Sequence, residues 1–179
     1  LRTRVYTYNR NGQVASVTDG AGTTSSAYDK AGHLFQVTDP RGVITEYAYD
    51  ALNRVLTRTV DKGTGTLNLL STYAYDPQGR QITVIENGVT TQISYDRNGL
   101  KTDVIVDPAG LKLITHYEYD QRGRALKVYE GYDPLAKTAL RLTQNIYDNA
   151  DRLISTIVDP NGLKLTTNYA YDNAGNMVA

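Results

Sequence analysis

Cysteine and tryptophan are absent from this 179-residue chain, and phenylalanine and methionine occur once each. Without cysteine there is no disulfide, no thiol nucleophile and no thiolate metal ligand. The compartment stays open, because secreted proteins without cysteine are common. An excess of charge is absent too: 19 Lys and Arg balance 19 Asp and Glu. No basic block stands out, which argues against nucleic acid or an acidic membrane as partner. No apolar run is long enough to span a bilayer. No helical periodicity is convincing; the nearest candidate is the Ala/Leu/Lys stretch 134–142. His33 and His116 are the only histidines. Neither has a motif around it, and each reads as a surface or packing residue of a strand. No Ser-His-Asp order, phosphate loop or zinc spacing is present. The expectation is a protein that is not an enzyme, with no cofactor and no metal. The chain starts at Leu1 without a signal-like segment, so a piece of something larger is expected.

What the chain has is tyrosine, fifteen of them, and a repeat that explains most of the bias. Tyr119-Asp120-Gln121-Arg122-Gly123-Arg124 is one of eight copies; the others begin at Tyr8, Tyr28, Tyr49, Tyr75, Tyr95, Tyr147 and Tyr171. Successive tyrosines stand 20, 21, 26, 20, 24, 28 and 24 residues apart, the period of an array of one supersecondary unit. After each tyrosine comes Asp or Asn: Asn9, Asp29, Asp50, Asp76, Asp96, Asp120, Asp148 and Asp172. That side chain can accept a backbone N–H two residues on. Three places later stand Gly12, Gly32, Asn53, Gly79, Gly99, Gly123, Asp151 and Gly175. Asn53 and Asp151 are the informative members. With Gly they are the residues that best tolerate positive φ, so the position selects a backbone conformation and not only small size. Each copy reads as a hairpin turn of type I followed by a left-handed residue. The same aspartates could be offered as catalytic pairs or metal ligands. One carboxylate per turn supplies neither a matched pair nor the several oxygens that calcium needs in one loop, so turn chemistry is the preferred reading.

A second turn class alternates with the first: Asp19-Gly20-Ala21-Gly22, Asp39-Pro40-Arg41-Gly42, Asp107-Pro108-Ala109-Gly110 and Asp159-Pro160-Asn161-Gly162. All five prolines follow an Asp, where proline suits the second position of a type I turn. Asn87-Gly88 suits a two-residue hairpin. Between turns, stretches such as Val43 to Tyr49 and Leu113 to Tyr119 alternate and are rich in strand formers. The long spacings gain their residues at the second turn class, over 61–70 and 130–142, which predicts one uniform rim and one ragged rim. Tyr-x-Tyr precedes the turn in five repeats, as Tyr47/Tyr49 and Tyr117/Tyr119 do, placing both rings on one face. Packing across strands is the preferred role for these rings. Stacking on sugar is the alternative, with Tyr47, Tyr49, Tyr117 and Tyr119 as candidate glycan contacts.

Repeated Tyr-Asp-x-x-Gly-Arg units joined by Asp-Pro-x-Gly turns resemble the YD repeats of Rhs proteins, found also in bacterial wall-associated proteins, toxin complexes and teneurins. The resemblance covers residues 8–175. It implies an all-β, single-layer antiparallel sheet of hairpins, twisted and curled as part of a spiral shell, with 1–179 as one array of about eight units. The implied function is structural: shell wall around a toxic cargo domain, in a secreted or cell wall-associated protein. Carbohydrate binding or adhesion is the alternative. Implied partners are the remainder of the same polypeptide, an enclosed C-terminal toxin domain and surface glycans. Asp159-Pro160-Asn161-Gly162-Leu163 resembles part of the self-cleaving core pattern of that family but lacks its Asn-Pro ending, so no cleavage role is assigned. Free strands near 4–8 and 166–171 are expected to pair with other chains or to fray.

Overall fold

The structure, a computed structural model, describes residues 3–63 and 66–178. Leu1 and two residues of the long connection expected over 61–70, Thr64 and Gly65, lie outside them. The chain divides into two compact units, Leu1–Val89 and Thr90–Ala179. The first holds β1 (Val5–Tyr8), β2 (Val14–Asp19), β3 (Gly22–Tyr28), β4 (Leu34–Thr38), β5 (Ile44–Tyr49), β6 (Val55–Val60), β7 (Leu69–Tyr75) and β8 (Gln81–Glu86). The second holds β9 (Val89–Tyr95, begun at the last residue of the first unit), β10 (Lys101–Val106), β11 (Leu113–Tyr119), β12 (Ala125–Glu130), β13 (Arg141–Tyr147), β14 (Leu153–Val158) and β15 (Leu165–Asn168). The stretch 134–142 is not helical: Asp133 bridges Thr138, and β13 begins at Arg141.

Within each unit strand order is chain order. Within each unit consecutive strands pair antiparallel, as in Glu46 opposite Thr59 and Tyr117 opposite Val128. The Tyr–Asp turns join β1–β2, β3–β4, β5–β6 and β7–β8 in the first unit, and β9–β10, β11–β12 and β13–β14 in the second. Alternate hairpins share a rim, so within each unit the longer connections project opposite the Tyr–Asp turns. At these turns the ladder slips by one residue. Ala48 faces Thr57 while Tyr49 faces Val55, leaving Leu56 extra. The same bulge recurs at Tyr8, Tyr28, Tyr75, Tyr119 and Tyr147. A turn that ends in a left-handed residue feeds such a bulge and increases the local twist.

Neither unit has a conventional core. Among the described residues Ile114, 6% exposed, is the one buried apolar side chain, and Ser71 and Ser155 are the buried polar ones. Contacts between elements within each unit run only between consecutive strands. The single antiparallel layer of hairpins stands, but the curled, spiral form expected for it is not what is found: within each unit the strands lie in chain order and contact only their neighbours. The physical reason lies in the pairing. A sheet closes or winds on itself only when strands distant in sequence gain contacts that hold the stagger, and here neighbours alone are in contact.

The second turn class is also not uniform. Asp39 follows the Tyr–Asp pattern, with Gly42 at φ +85°. At Asp107 and Asp159 the left-handed residue is the aspartate itself, both at φ +52°, followed by Lys112 at +49° and Lys164 at +52°. The Asp107 carboxylate folds back to accept the Leu111 N–H at 2.9 Å. It then occupies the space that a Cβ on Gly110 would need. Glycine is required there for room, not for positive φ.

Candidate functional site

Each Tyr–Asp turn is wired in the same way. The aspartate backbone N–H donates to the carbonyl four residues on, and the left-handed residue donates back to the aspartate carbonyl. For Asp50 these bonds are 2.9 Å to Arg54 and 3.0 Å from Asn53. One carboxylate oxygen accepts two further N–H groups, from Leu52 at 2.8 Å and Arg54 at 3.0 Å. Asp29, Asp76, Asp96, Asp120, Asp148 and Asp172 stand in the same place, each accepting the N–H two and four residues on. Three residues after each aspartate, Gly32, Asn53, Gly79, Gly99, Gly123, Asp151 and Gly175 all have φ between +63° and +90°.

The second carboxylate oxygen holds the arginine that ends the motif. Asp50 Oδ2 accepts Arg54 Nε at 2.7 Å, Asp76 accepts Arg80 at 2.6 Å, Asp120 accepts Arg124 at 2.6 Å and Asp148 accepts Arg152 at 2.7 Å. So held, the guanidinium reaches the next repeat. It lies over Tyr75 from Arg54 (4.6 Å), over Tyr147 from Arg124 (4.8 Å) and over Tyr171 from Arg152 (4.9 Å). Arg54 Nη1 also donates to the Asp76 carbonyl at 3.3 Å, and Arg124 Nη1 to that of Asp148 at 3.2 Å. A planar fork can grip a carboxylate with its edge while its face covers a ring; an ammonium cannot.

The tyrosine closes the circuit by reaching back. Its hydroxyl donates to the carbonyl just past the arginine position of the preceding repeat: Tyr28 to Val14, Tyr49 to Leu34, Tyr75 to Val55, Tyr147 to Ala125 and Tyr171 to Leu153, at 2.8–3.1 Å. Asp, Arg, the next Tyr and the backbone between them form an inter-repeat strap. The straps hold the carboxyls of Asp50, Asp120 and Asp148 below the usual range, first through the arginine backbone N–H and then through its side chain. At Asp76 burial opposes the shift, and the Arg80 bonds outweigh it.

The variants are instructive. His33 takes the arginine position, bonding Asp29 at 2.9 Å with its ring 5.1 Å from Tyr49. Gln13 reaches the Gly32 carbonyl at 2.9 Å. Asp151, the left-handed residue of its turn, receives both Arg122 and Arg124 at 2.7 Å. His116 has surroundings that its sequence did not suggest: it bonds Asp103 at 2.8 Å across the sheet and stacks on Tyr132 with 4.6 Å between centroids.

The candidate glycan tyrosines are half-buried. The Tyr49 hydroxyl is committed to Leu34, and Tyr117 stacks on Tyr119 at 6.4 Å. Burial pushes the Tyr49 and Tyr119 hydroxyls upward. Tyr47 differs, lining a shallow cleft with Tyr73, Tyr75, Arg58 and Gln81. Among the described residues no group of three His, Asp or Glu side chains is placed to hold a metal ion, and no helix is long and apolar enough to cross a membrane. The strap itself was missed from sequence. Its signal was the arginine that recurs in step with the next tyrosine.

Comparison with known proteins points one way. The RHS Repeat family profile matches residues 28–66 and 147–179. The chain is 27% identical over 142 residues to the tRNA nuclease WapA of Bacillus subtilis (strain 168), and equally to the tRNA(Glu)-specific nuclease WapA of Bacillus subtilis subsp. natto. Each match takes in 78% of this chain and 6% of the relative's length. Its fold is that of a segment of the TcdB2–TccC3–Cdc42 crystal structure, at TM-score 0.75 and 19% identity, over 96% of this chain and 11% of that one. It also resembles a segment of the Photorhabdus luminescens Tc holotoxin pore, at TM-score 0.70 and 21% identity, over 87% of this chain and 9% of that one. The repeated Tyr–Asp hairpins, the profile matched over two segments and the shared fold make the chain similar to Rhs/YD-repeat proteins.

Proposed function

We propose that this array is a panel of shell wall in a larger secreted or cell-surface polypeptide, and that the complete protein encloses a toxic domain C-terminal to its repeats. The observation that carries the reading is the strap. A sheet without a second layer or a core must be held by bonds between neighbouring repeats, and the array spends its charged and aromatic side chains on those bonds. Such a wall extends by adding repeats and offers no activated nucleophile or matched acid and base. The nuclease names of the relatives and the toxin-complex titles of the structural neighbours describe much longer chains. They support association with other chains of a toxin assembly; the enclosed C-terminal cargo is the finer part of the proposal.

Protease protection tests the wall reading. In the complete polypeptide, replacing Arg54, Arg80, Arg124 and Arg152 together by alanine should expose the enclosed domain to digestion. Unchanged protection, with the straps cut and the array still folded, would remove the strap from the argument. The adhesion reading keeps one foothold in the ring-lined cleft at Tyr47 and Tyr73, where Arg58 and Gln81 stand beside aromatic surface. Selective affinity on a glycan array, lost in folded Tyr47→Ala and Tyr49→Ala variants, would replace the wall reading with that one.

A further inference from the structure

In the second unit, three connections share the rim opposite the Tyr–Asp turns: β10–β11, β12–β13 and β14–β15. Each carries leucines in the open. Leu111 and Leu113 are 79% and 52% exposed, Leu135 and Leu140 are 95% and 91%, and Leu163 and Leu165 are 80% and 60%. The outer two connections repeat one sequence, Asp-Pro-x-Gly-Leu-Lys-Leu, at 107–113 and 159–165. They also share one backbone, with Asp and Lys left-handed in both. Each lies two strands from the middle connection, on the order of 10 Å away along the rim. Among the described residues of the first unit, the corresponding rim has exposed leucines only near β6–β7, at Leu67, Leu69 and Leu70.

We propose that this leucine rim is a contact surface for the same rim of a second copy of the chain, related by a two-fold axis through the β12–β13 connection. Its charge and its symmetry choose the occupant. The three connections carry Asp107, Glu130, Asp133 and Asp159 against Lys112, Lys137, Arg141 and Lys164, a balanced set. Arg141 pairs with Glu130 at 3.2 Å, and Asp133 feels Lys112. A balanced rim gains nothing from a polyanion or an anionic lipid surface. It suits a partner carrying the same charges in reverse order. A two-fold supplies that partner: Lys112 meets Asp159 of the second copy, Lys164 meets its Asp107, and Leu135 and Leu140 meet their own equivalents. Isologous contacts of this kind need a patch that is its own complement. The amount of surface is also right. At roughly 60–120 Å² of apolar area per leucine, six leucines supply about the apolar share of the ~800 Å² that a standard interface buries per partner.

Sedimentation equilibrium on the whole chain tests the inference. The parent should show a monomer–dimer equilibrium that stops at two. Leu135→Ser with Leu163→Ser should raise the dissociation constant by at least ~10-fold, with an unchanged circular dichroism spectrum and melt. Lys112→Glu with Lys164→Glu should weaken the dimer in the same direction by placing like charges opposite one another, a second reading that does not depend on the leucine variants folding. A parent that stays monomeric to on the order of 100 μM would overturn the proposal. So would open-ended association indifferent to both double variants, which is the signature of edge-strand pairing. Flotation of a monomeric chain with phosphatidylcholine vesicles, abolished by the leucine changes, would assign the rim to lipid instead.

Discussion

At Gly123 the chain needs a left-handed residue, φ +79°, with the Leu100 side chain 3.4 Å from where a Cβ would stand. Two sister turns meet the same demand with Asn53 and Asp151. Gly123→Val should therefore destabilise more than Gly123→Asn, by about 1–2 kcal/mol, because a β-branched residue is poorly tolerated at positive φ. Thermal melts compare the two directly, and equal losses would deny the turn its conformational demand. Tyr147 tests the strap from its other end. Tyr147→Phe keeps the ring under Arg124 and deletes the 3.1 Å bond to the Ala125 carbonyl. The expected loss is about 0.5–1.5 kcal/mol, read from urea unfolding.

At the scale of the hairpin, the Tyr–Asp turn is an acid-sensitive element. Asp50, Asp120, Asp148, Asp29 and Asp172 all titrate below the ordinary aspartate range, the last two chiefly through the side chains of His33 and Asn176. A carboxyl depressed in the folded state lends stability that is fully present above its unfolded pKa. That stability is lost as pH falls through the folded value. These groups should leave stability level near neutrality and remove it below about pH 4. Melts of the parent across this window should fall more steeply than those of an Asp50→Asn, Asp120→Asn, Asp148→Asn variant, whose straps no longer titrate. The connections behave differently. Those at 61–68 and 131–140 are the longest, and the second presents Leu135 and Leu140 almost wholly to solvent. Limited proteolysis should cut there before any Tyr–Asp turn, and first cuts at the Tyr–Asp turns would contradict the assignment of tight, braced hairpins.

For the whole molecule, stability has to be local. With Ile114 as the one buried apolar side chain among the described residues, each strand depends on its two neighbours and their straps, as in repeat arrays whose stability sums over adjacent units. β1 and β15 have one neighbour each, and all their residues are exposed. Tyr6 and Tyr8, at 45% and 62% exposure, are the tyrosines of the first repeat. Amide exchange should be fastest in β1 and β15 and slowest in strands held by a Tyr–Asp turn on one side and a strap on the other, such as β6 and β12. Uniform protection from end to end would mean that β1 and β15 gain partners in solution.

Local chemistry was legible in the sequence because it is carried by neighbours along the chain. A period of 20 to 28 residues, alternating strand formers and Asp-to-Gly spacings specify antiparallel hairpins without reference to anything distant. Even there the limits are visible: Asp107 and Asp39 head similar-looking turns and adopt opposite signs of φ, because only the former folds its carboxylate over a glycine. The strap escaped because its parts lie a full repeat apart, Arg124 from Tyr147, and only the register of β12, β13 and β14 brings them together. The leucine rim escaped for a related reason. Residues 111, 135 and 163 are far apart in the chain, in segments of unremarkable composition, and become one surface only because alternate turns of a meander fall on one side. That strands contact only their neighbours within each unit was likewise decided by tertiary structure, since winding depends on contacts between distant strands, and a repeat pattern encodes only its own neighbours.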